Sequence, residues 1–170
     1  TPAIQHTRQS GATLICDRPP GPLRLGPQVI RFLSHSTPLV KKQAQETGVR
    51  QVRREGQAVN CPGPERTLVD GFRQPRWVGG LSELVESASG FGVLDLDLLE
   101  QVLLAYDQRT LWAAVGWFLE RYQERFFVPD QYLATELRAD RASGDTAIGT
   151  SWRRYFPGFR SGYGQREGVR

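Results

Sequence analysis

Val59–Glu86 reads VNCPGPERTLVDGFRQPRWVGGLSELVE, and within it the chain changes character. Upstream, apolar residues come in short β-branched runs; downstream they recur at three- and four-residue spacing, the pattern of an amphipathic helix. Pro64 has the fixed φ suited to a first helical position, and Glu65 in the first turn favours the helix dipole. Leu68, Val69 and Phe72 then fall on one face, while Arg66 and Asp70, four apart, are placed to pair. Gly79-Gly80 opens a second helix with Leu81, Leu84, Val85 and Ala88 along its apolar side.

Further downstream, Asp97 with Glu100 three residues later forms a capping-box signature, followed by Leu99, Val102, Leu103 and Tyr106 on one side. Asp107 is expected to cap the longest helix, in which Leu111, Ala114, Val115, Phe118 and Tyr122 make a stripe. Pro129-Asp130 starts a short fifth helix with Leu133, Ala134 and Leu137 inward. Beyond Arg138, glycines at 144, 149, 158, 162, 164 and 168 dilute any pattern.

The first 60 residues read as strands and loops. Ala12–Asp17 is a short apolar run stopped by Pro19-Pro20-Gly21-Pro22, and Gln28–Ser34 is strand-like in composition. Val49–Asn60 reads as a hairpin turning at Glu55-Gly56, with Val49, Val52, Ala58 and Val59 as its apolar side. The expected class is α+β: a small N-terminal sheet packed against a helical C-terminal half in a single domain, residues 1–137, followed by a basic Gly/Arg/aromatic tail, residues 138–170.

Size and composition agree with a folded chain. The 170 residues are 39% hydrophobic and 10% aromatic, enough for a core that hides roughly 70% of the unfolded surface. No apolar stretch is long enough to span a bilayer and no leader opens the chain, so no membrane association and a cytoplasmic location are expected. The absence of methionine suggests a piece or a processed product of something longer. Cys16 and Cys61 share no metal-binding spacing and are expected reduced, in or near the core.

Charge is unevenly placed. Net charge is +4, and the excess lies in residues 137–170, which hold seven arginines against three acids. A second basic cluster comprises Lys41, Lys42, Arg50, Arg53 and Arg54, whereas residues 77–108 carry six acids and no lysine or arginine. Trp152, Tyr155, Phe156 and Phe159 interleave with Arg153, Arg154 and Arg160, as aromatics do in single-strand binders. Lys41, Lys42, Arg53, Arg54, Arg153 and Arg154 are therefore the candidate nucleic-acid contacts, through charge rather than base reading.

Candidates for chemistry are few. The two histidines, His6 and His35, leave little for a general base, and Ser34-His35-Ser36 has no identifiable acid to complete a triad. The segment from Gly144 to Ser151 misses the phosphate-loop pattern because Thr150 stands where the lysine belongs. Both lysines are adjacent, so a nuclease E-x-K core is not formed. No catalytic residue, metal site or cofactor is expected, and a binding or regulatory module is.

The segment quoted above resembles the central signature of AbiEi-type antitoxins. In that family a strand runs into a P-E-R-T-L-x-D helix, then a proline, then G-G-[LI]-x-E-[VL]. The matching positions are Pro64, Glu65, Arg66, Thr67, Leu68 and Asp70, then Pro75, Gly79, Gly80, Leu81, Glu83 and Leu84. Leu94–Leu99 and Val115–Glu120 look like the family's later helices, and the resemblance covers roughly residues 58–125. It implies a non-catalytic antitoxin and transcriptional autoregulator of a bacterial type IV toxin–antitoxin system. The partner it implies is a nucleotidyltransferase-like toxin that forms no stable complex with it. Operator DNA would be bound mainly by an N-terminal winged helix, which the 170 residues are not expected to contain. The motif residues themselves are expected to be structural. The alternative from another class is a stand-alone nucleic-acid-binding module using the basic tail.

Overall fold

The computed structural model describes residues 11–133, in two compact units divided between Asp107 and Gln108. The fold is α+β. The 137/138 boundary, the candidate contacts Arg153 and Arg154, and the expected inward positions of Ala134 and Leu137 lie outside the described residues.

The first unit begins with three strands, β1 (Gly11–Cys16), β2 (Leu23–Leu25) and β3 (Gln28–Ser34). They form one sheet in the order β1-β3-β2, with β1 parallel and β2 antiparallel to β3. Parallel neighbours need a return leg between them. Here β2 is that leg, entered through the Pro19–Pro22 break and left by a two-residue turn at Gly26-Pro27. In register, Leu14 faces Phe32 and Leu23 faces Ile30, yet Leu14, Leu23 and Leu25 remain exposed. The sheet meets the helices where the Arg31 guanidinium stands 5.6 Å over the Trp77 ring.

A short helix, α1 (Thr37–Lys41), follows where only strand and loop were expected. It escapes periodicity because it is barely more than one turn long. Pro38 near its start and Ser36 before it are the local signals, and its Leu39 is fully buried. The hairpin β4 (Val49–Arg54) and β5 (Gln57–Pro62) matches expectation, with Glu55 and Gly56 at φ 50° and 80° as a type I′ turn requires. Its sidedness does not. Register places Val49 with Pro62 and Arg53 with Ala58 on one face, and Val52 with Val59 on the other. The four apolar residues therefore divide between both faces, since side chains alternate along a strand.

Three helices complete the unit: α2 (Pro64–Arg73), α3 (Leu81–Ser89) and α4 (Leu96–Tyr106). Pro64 opens α2 as expected, and Leu68, Val69 and Phe72 are buried with Leu84 and Ala88 of α3 and Leu99, Val102, Leu103 and Tyr106 of α4. A turn of 3-10 helix, Pro75–Trp77, leads from α2 to Gly79 and Gly80, whose φ values of 87° and 103° suit glycine and little else. The expected cap of α4 lies two residues late: Asp95, not Asp97, is the N-cap, and its Oδ1 accepts from the Leu98 amide at 3.0 Å. Asp107 does not open the next helix. It closes α4 in the left-handed conformation at φ 53°.

The second unit begins with α5 (Arg109–Arg121), whose N-cap is Gln108. Leu111, Ala114, Val115, Phe118 and Leu119 are buried along it, and the Phe118 ring packs, tilted, with its centroid 4.9 Å from that of Tyr122 and 5.6 Å from that of Phe126. Residues 130–133 are helical, as Pro129-Asp130 predicted. No helix among the described residues is long and apolar enough to cross a membrane.

Candidate functional site

The densest polar cluster grows from the first two turns of α2. Glu65 and Arg66 are 5% and 3% exposed, unusual for charged residues unless every group is paired. The Arg66 Nε donates to Asp70 Oδ2 at 2.9 Å, one helical turn on, which is the pairing that the four-residue spacing predicts. Its Nη1 donates to the Thr47 carbonyl at 2.8 Å and, more weakly, to that of Gln45 at 3.4 Å. The guanidinium also lies 5.2 Å over the Tyr106 ring, and Arg73 approaches the same ring at 5.6 Å.

Asp70 is shared. Its second oxygen accepts from the Tyr106 hydroxyl on α4. Burial raises the Tyr106 pKa, the Asp70 charge and hydrogen bond raise it further, and Arg66 and Arg73 only partly offset this. The hydroxyl therefore stays protonated as a donor far into the alkaline range. Glu65 uses Oε1 to accept from the Asp95 amide at 2.9 Å, fixing the N-terminus of α4 to the start of α2. The cluster thus joins three pieces of chain: the 45–48 turn, α2 and both ends of α4.

Of the remaining motif positions, Thr67 is half-buried and Leu68 fully buried. Glu83 projects from the exposed side of α3 and accepts from Ser87 Oγ at 3.4 Å. Gly79 and Gly80 shape the entry to α3. The sequence could mark Glu65, Arg66 and Asp70, but not their partners. Tyr106 announces itself only as a member of an apolar stripe, and a backbone carbonyl such as that of Thr47 has no sequence signal at all.

Among the described residues the basic candidates fall on different elements, Lys41 and Lys42 at the end of α1 and Arg53 and Arg54 on β4. Lys42 is engaged at the end of α4, where Nζ donates to the Leu104 carbonyl at 2.8 Å and lies 3.2 Å from Asp107 Oδ2. Lys41 is exposed on α1. Arg53 and Arg54 flank the tip of the hairpin and, being adjacent on a strand, point to opposite faces.

His35 Nε2 lies 3.8 Å from Asp17 Oδ1, and its Nδ1 is buried without a partner among the described residues. Cys16 and Cys61 are free and half-buried. Among the described residues no group of three or more His, Cys, Asp and Glu is placed to hold a metal ion. No protein-family model, curated protein or solved structure matches the chain.

Proposed function

We propose that this chain is the non-catalytic regulatory half of an AbiEi-type antitoxin, an autoregulator that counters a nucleotidyltransferase-like toxin in the bacterial cytoplasm without forming a stable complex with it. The reading starts from the P-E-R-T-L-x-D and G-G-L-x-E segments. The observation that supports it is the state of the motif's polar side chains. Glu65, Arg66 and Asp70 are engaged by Asp95, Thr47 and Tyr106 within the chain itself. A motif used in this way specifies a scaffold, which is how a signature can mark a regulatory family with no catalytic residue in it. Operator DNA, in this reading, is read by a winged helix belonging to the same protein.

Growth of bacteria expressing a nucleotidyltransferase-like toxin encoded beside this chain tests it. Co-expression of this 170-residue chain is expected to restore at least part of the growth that the toxin removes. Growth that stays fully arrested with the folded chain abundant in the cell overturns the assignment.

A further inference from the structure

The β4–β5 hairpin buries little of itself. Apart from Val49 and Cys61, which are half-buried, every residue from Val49 to Pro62 is exposed. A two-stranded hairpin is marginal in water without further support. This one is held at its base, where the Val49 amide donates to the Glu46 carbonyl at 3.0 Å and the Gly63 amide to the Gly48 carbonyl at 2.8 Å. Gly48 itself sits so close to α2 and α4 that a Cβ there would meet Arg66 Cβ and Val102 Cγ2 at 2.9 Å each. The hairpin carries Arg50 near its base and Arg53 and Arg54 next to its turn, against one acid, Glu55 at the turn. None of the three arginines forms an ion pair among the described residues.

Their placement narrows the partner. Arg50, opposite Cys61, and Arg54, opposite Gln57, share one face, while Arg53, opposite Ala58, lies on the other with the Gln51–Asn60 pair. Cations on both faces of one ribbon suit a ligand that presents anionic walls on both sides. The major groove of B-form DNA is about 12 Å wide, admits a two-stranded ribbon and is flanked by two phosphate backbones. The major groove of A-form RNA is too narrow to admit one. At about 3.4 Å per residue, each six-residue strand is roughly 20 Å long, more than half of the ~34 Å turn of the duplex.

We propose that the β4–β5 hairpin is a DNA-contacting arm, in which Arg50, Arg53 and Arg54 bind the phosphates of B-form duplex without reading its sequence. The arm goes beyond the antitoxin reading and does not rest on it.

The test is a binding titration of the full 170-residue chain on a short duplex of arbitrary sequence, across a range of salt. Three phosphate contacts contribute about 2.7 to the slope of log affinity against log salt. The Arg50→Gln/Arg53→Gln/Arg54→Gln variant is expected to flatten the slope by that amount. Between about 50 and about 200 mM salt its affinity then falls about 40-fold less than that of the wild type. Arg50→Lys/Arg53→Lys/Arg54→Lys is expected to keep the slope, which separates charge from hairpin folding. Arg18→Gln/Arg24→Gln/Arg121→Gln removes equal charge at exposed positions elsewhere and is expected to leave the slope within about one of wild type. No duplex binding by the wild type, or an equal slope for the hairpin and control variants, overturns the proposal. An equal loss on duplex RNA or heparin does so too, since the arm would then be a general polyanion surface. The growth assay reads the antitoxin proposal separately.

Discussion

The Arg66 guanidinium donates to the Thr47 carbonyl at 2.8 Å while its Nε holds Asp70 Oδ2 at 2.9 Å. One buried side chain thereby fastens the turn before the hairpin to the helix after it, with Tyr106 of α4 closing the far side through Asp70. A charge buried this deeply is stable only while its partners remain, so removing one partner costs more than the pair itself contributes.

Arg66→Met leaves Asp70 without its cation and two backbone carbonyls without their donor. The expected loss is about 3 kcal/mol, at the lower end for a buried pair because the Asp70 side chain is still 24% exposed. Arg66→Lys keeps the charge but not the fork and is expected to lose about 1–2 kcal/mol, the scale of a charged hydrogen bond. Urea denaturation measures both, and an Arg66→Met variant as stable as wild type would contradict the network.

Tyr106→Phe removes one hydrogen bond to Asp70 and is expected to lose about 1–2 kcal/mol near neutral pH. The pH dependence carries a clearer sign. An unfolded tyrosine ionises near pH 10, whereas the folded Tyr106 holds its proton well above that because it is buried beside Asp70. The unfolded state therefore releases a proton first, and the stability that Tyr106 contributes, fully present below about pH 10, is lost as pH rises further. The wild type is expected to lose stability above about pH 10 more steeply than Tyr106→Phe. Parallel profiles for the two proteins would argue against a raised Tyr106.

What could be read from the sequence was local. Pro64 opens α2, Glu55-Gly56 turns the hairpin, and the cores of the apolar faces are buried, with Leu84 and Ala88 of α3 buried and Leu81 and Val85 half-buried, because each is dictated by neighbours within a few residues. What escaped needs distant chain. In Leu94–Leu99 the acids alternate with leucines, so local pattern alone favours Asp97 with its Glu100. The Glu65 carboxylate decides otherwise by taking the Asp95 amide from 30 residues away. The four apolar residues of the hairpin suggest one apolar side by composition, whereas strand parity puts Val49 and Ala58 on one face and Val52 and Val59 on the other. The candidate cluster was half legible: its charged members stand in one motif, while Tyr106 and the Thr47 carbonyl are brought to it only by folding.

Gly71 lies in the interior of α2, where alanine would ordinarily gain about 1 kcal/mol of helix propensity. Here a Cβ would meet Leu84 Cδ1 at 2.3 Å and Cγ at 3.3 Å, and Leu84 is itself buried between the helices. Overpacking of this kind costs about 1–3 kcal/mol, so Gly71→Ala is expected to be destabilising by about 1 kcal/mol net. Leu84→Ala in the same chain should return the propensity gain. A double-mutant cycle without coupling between the two positions would show that α2 and α3 do not meet there.

Leu68 and Phe118, each fully buried, anchor the cores of the first and second unit respectively. Leu68→Ala and Phe118→Ala are each expected to lose about 2–5 kcal/mol, the range for large-to-small core changes. Thermal or urea unfolding checks this, and a loss under about 0.5 kcal/mol, as at an exposed position, would place either side chain on the surface.

Native-state amide exchange, compared between wild type and Arg66→Lys, tests most directly the claim that the motif fastens the hairpin to the helices. The informative amides are Val49 and Gly63 at the hairpin root, bonded to Glu46 and Gly48, with Asp107 reporting the end of α4 through its bond to Leu103. Weakening the Thr47 contact should lower protection at Val49 and Gly63 by about tenfold beyond any change at Asp107, as a local opening confined to the root would. Protection that falls equally at all three amides would mean that Arg66 acts on the whole unit and not at the root, and protection that holds at Val49 and Gly63 would mean that the root stands without it; either result would contradict the account.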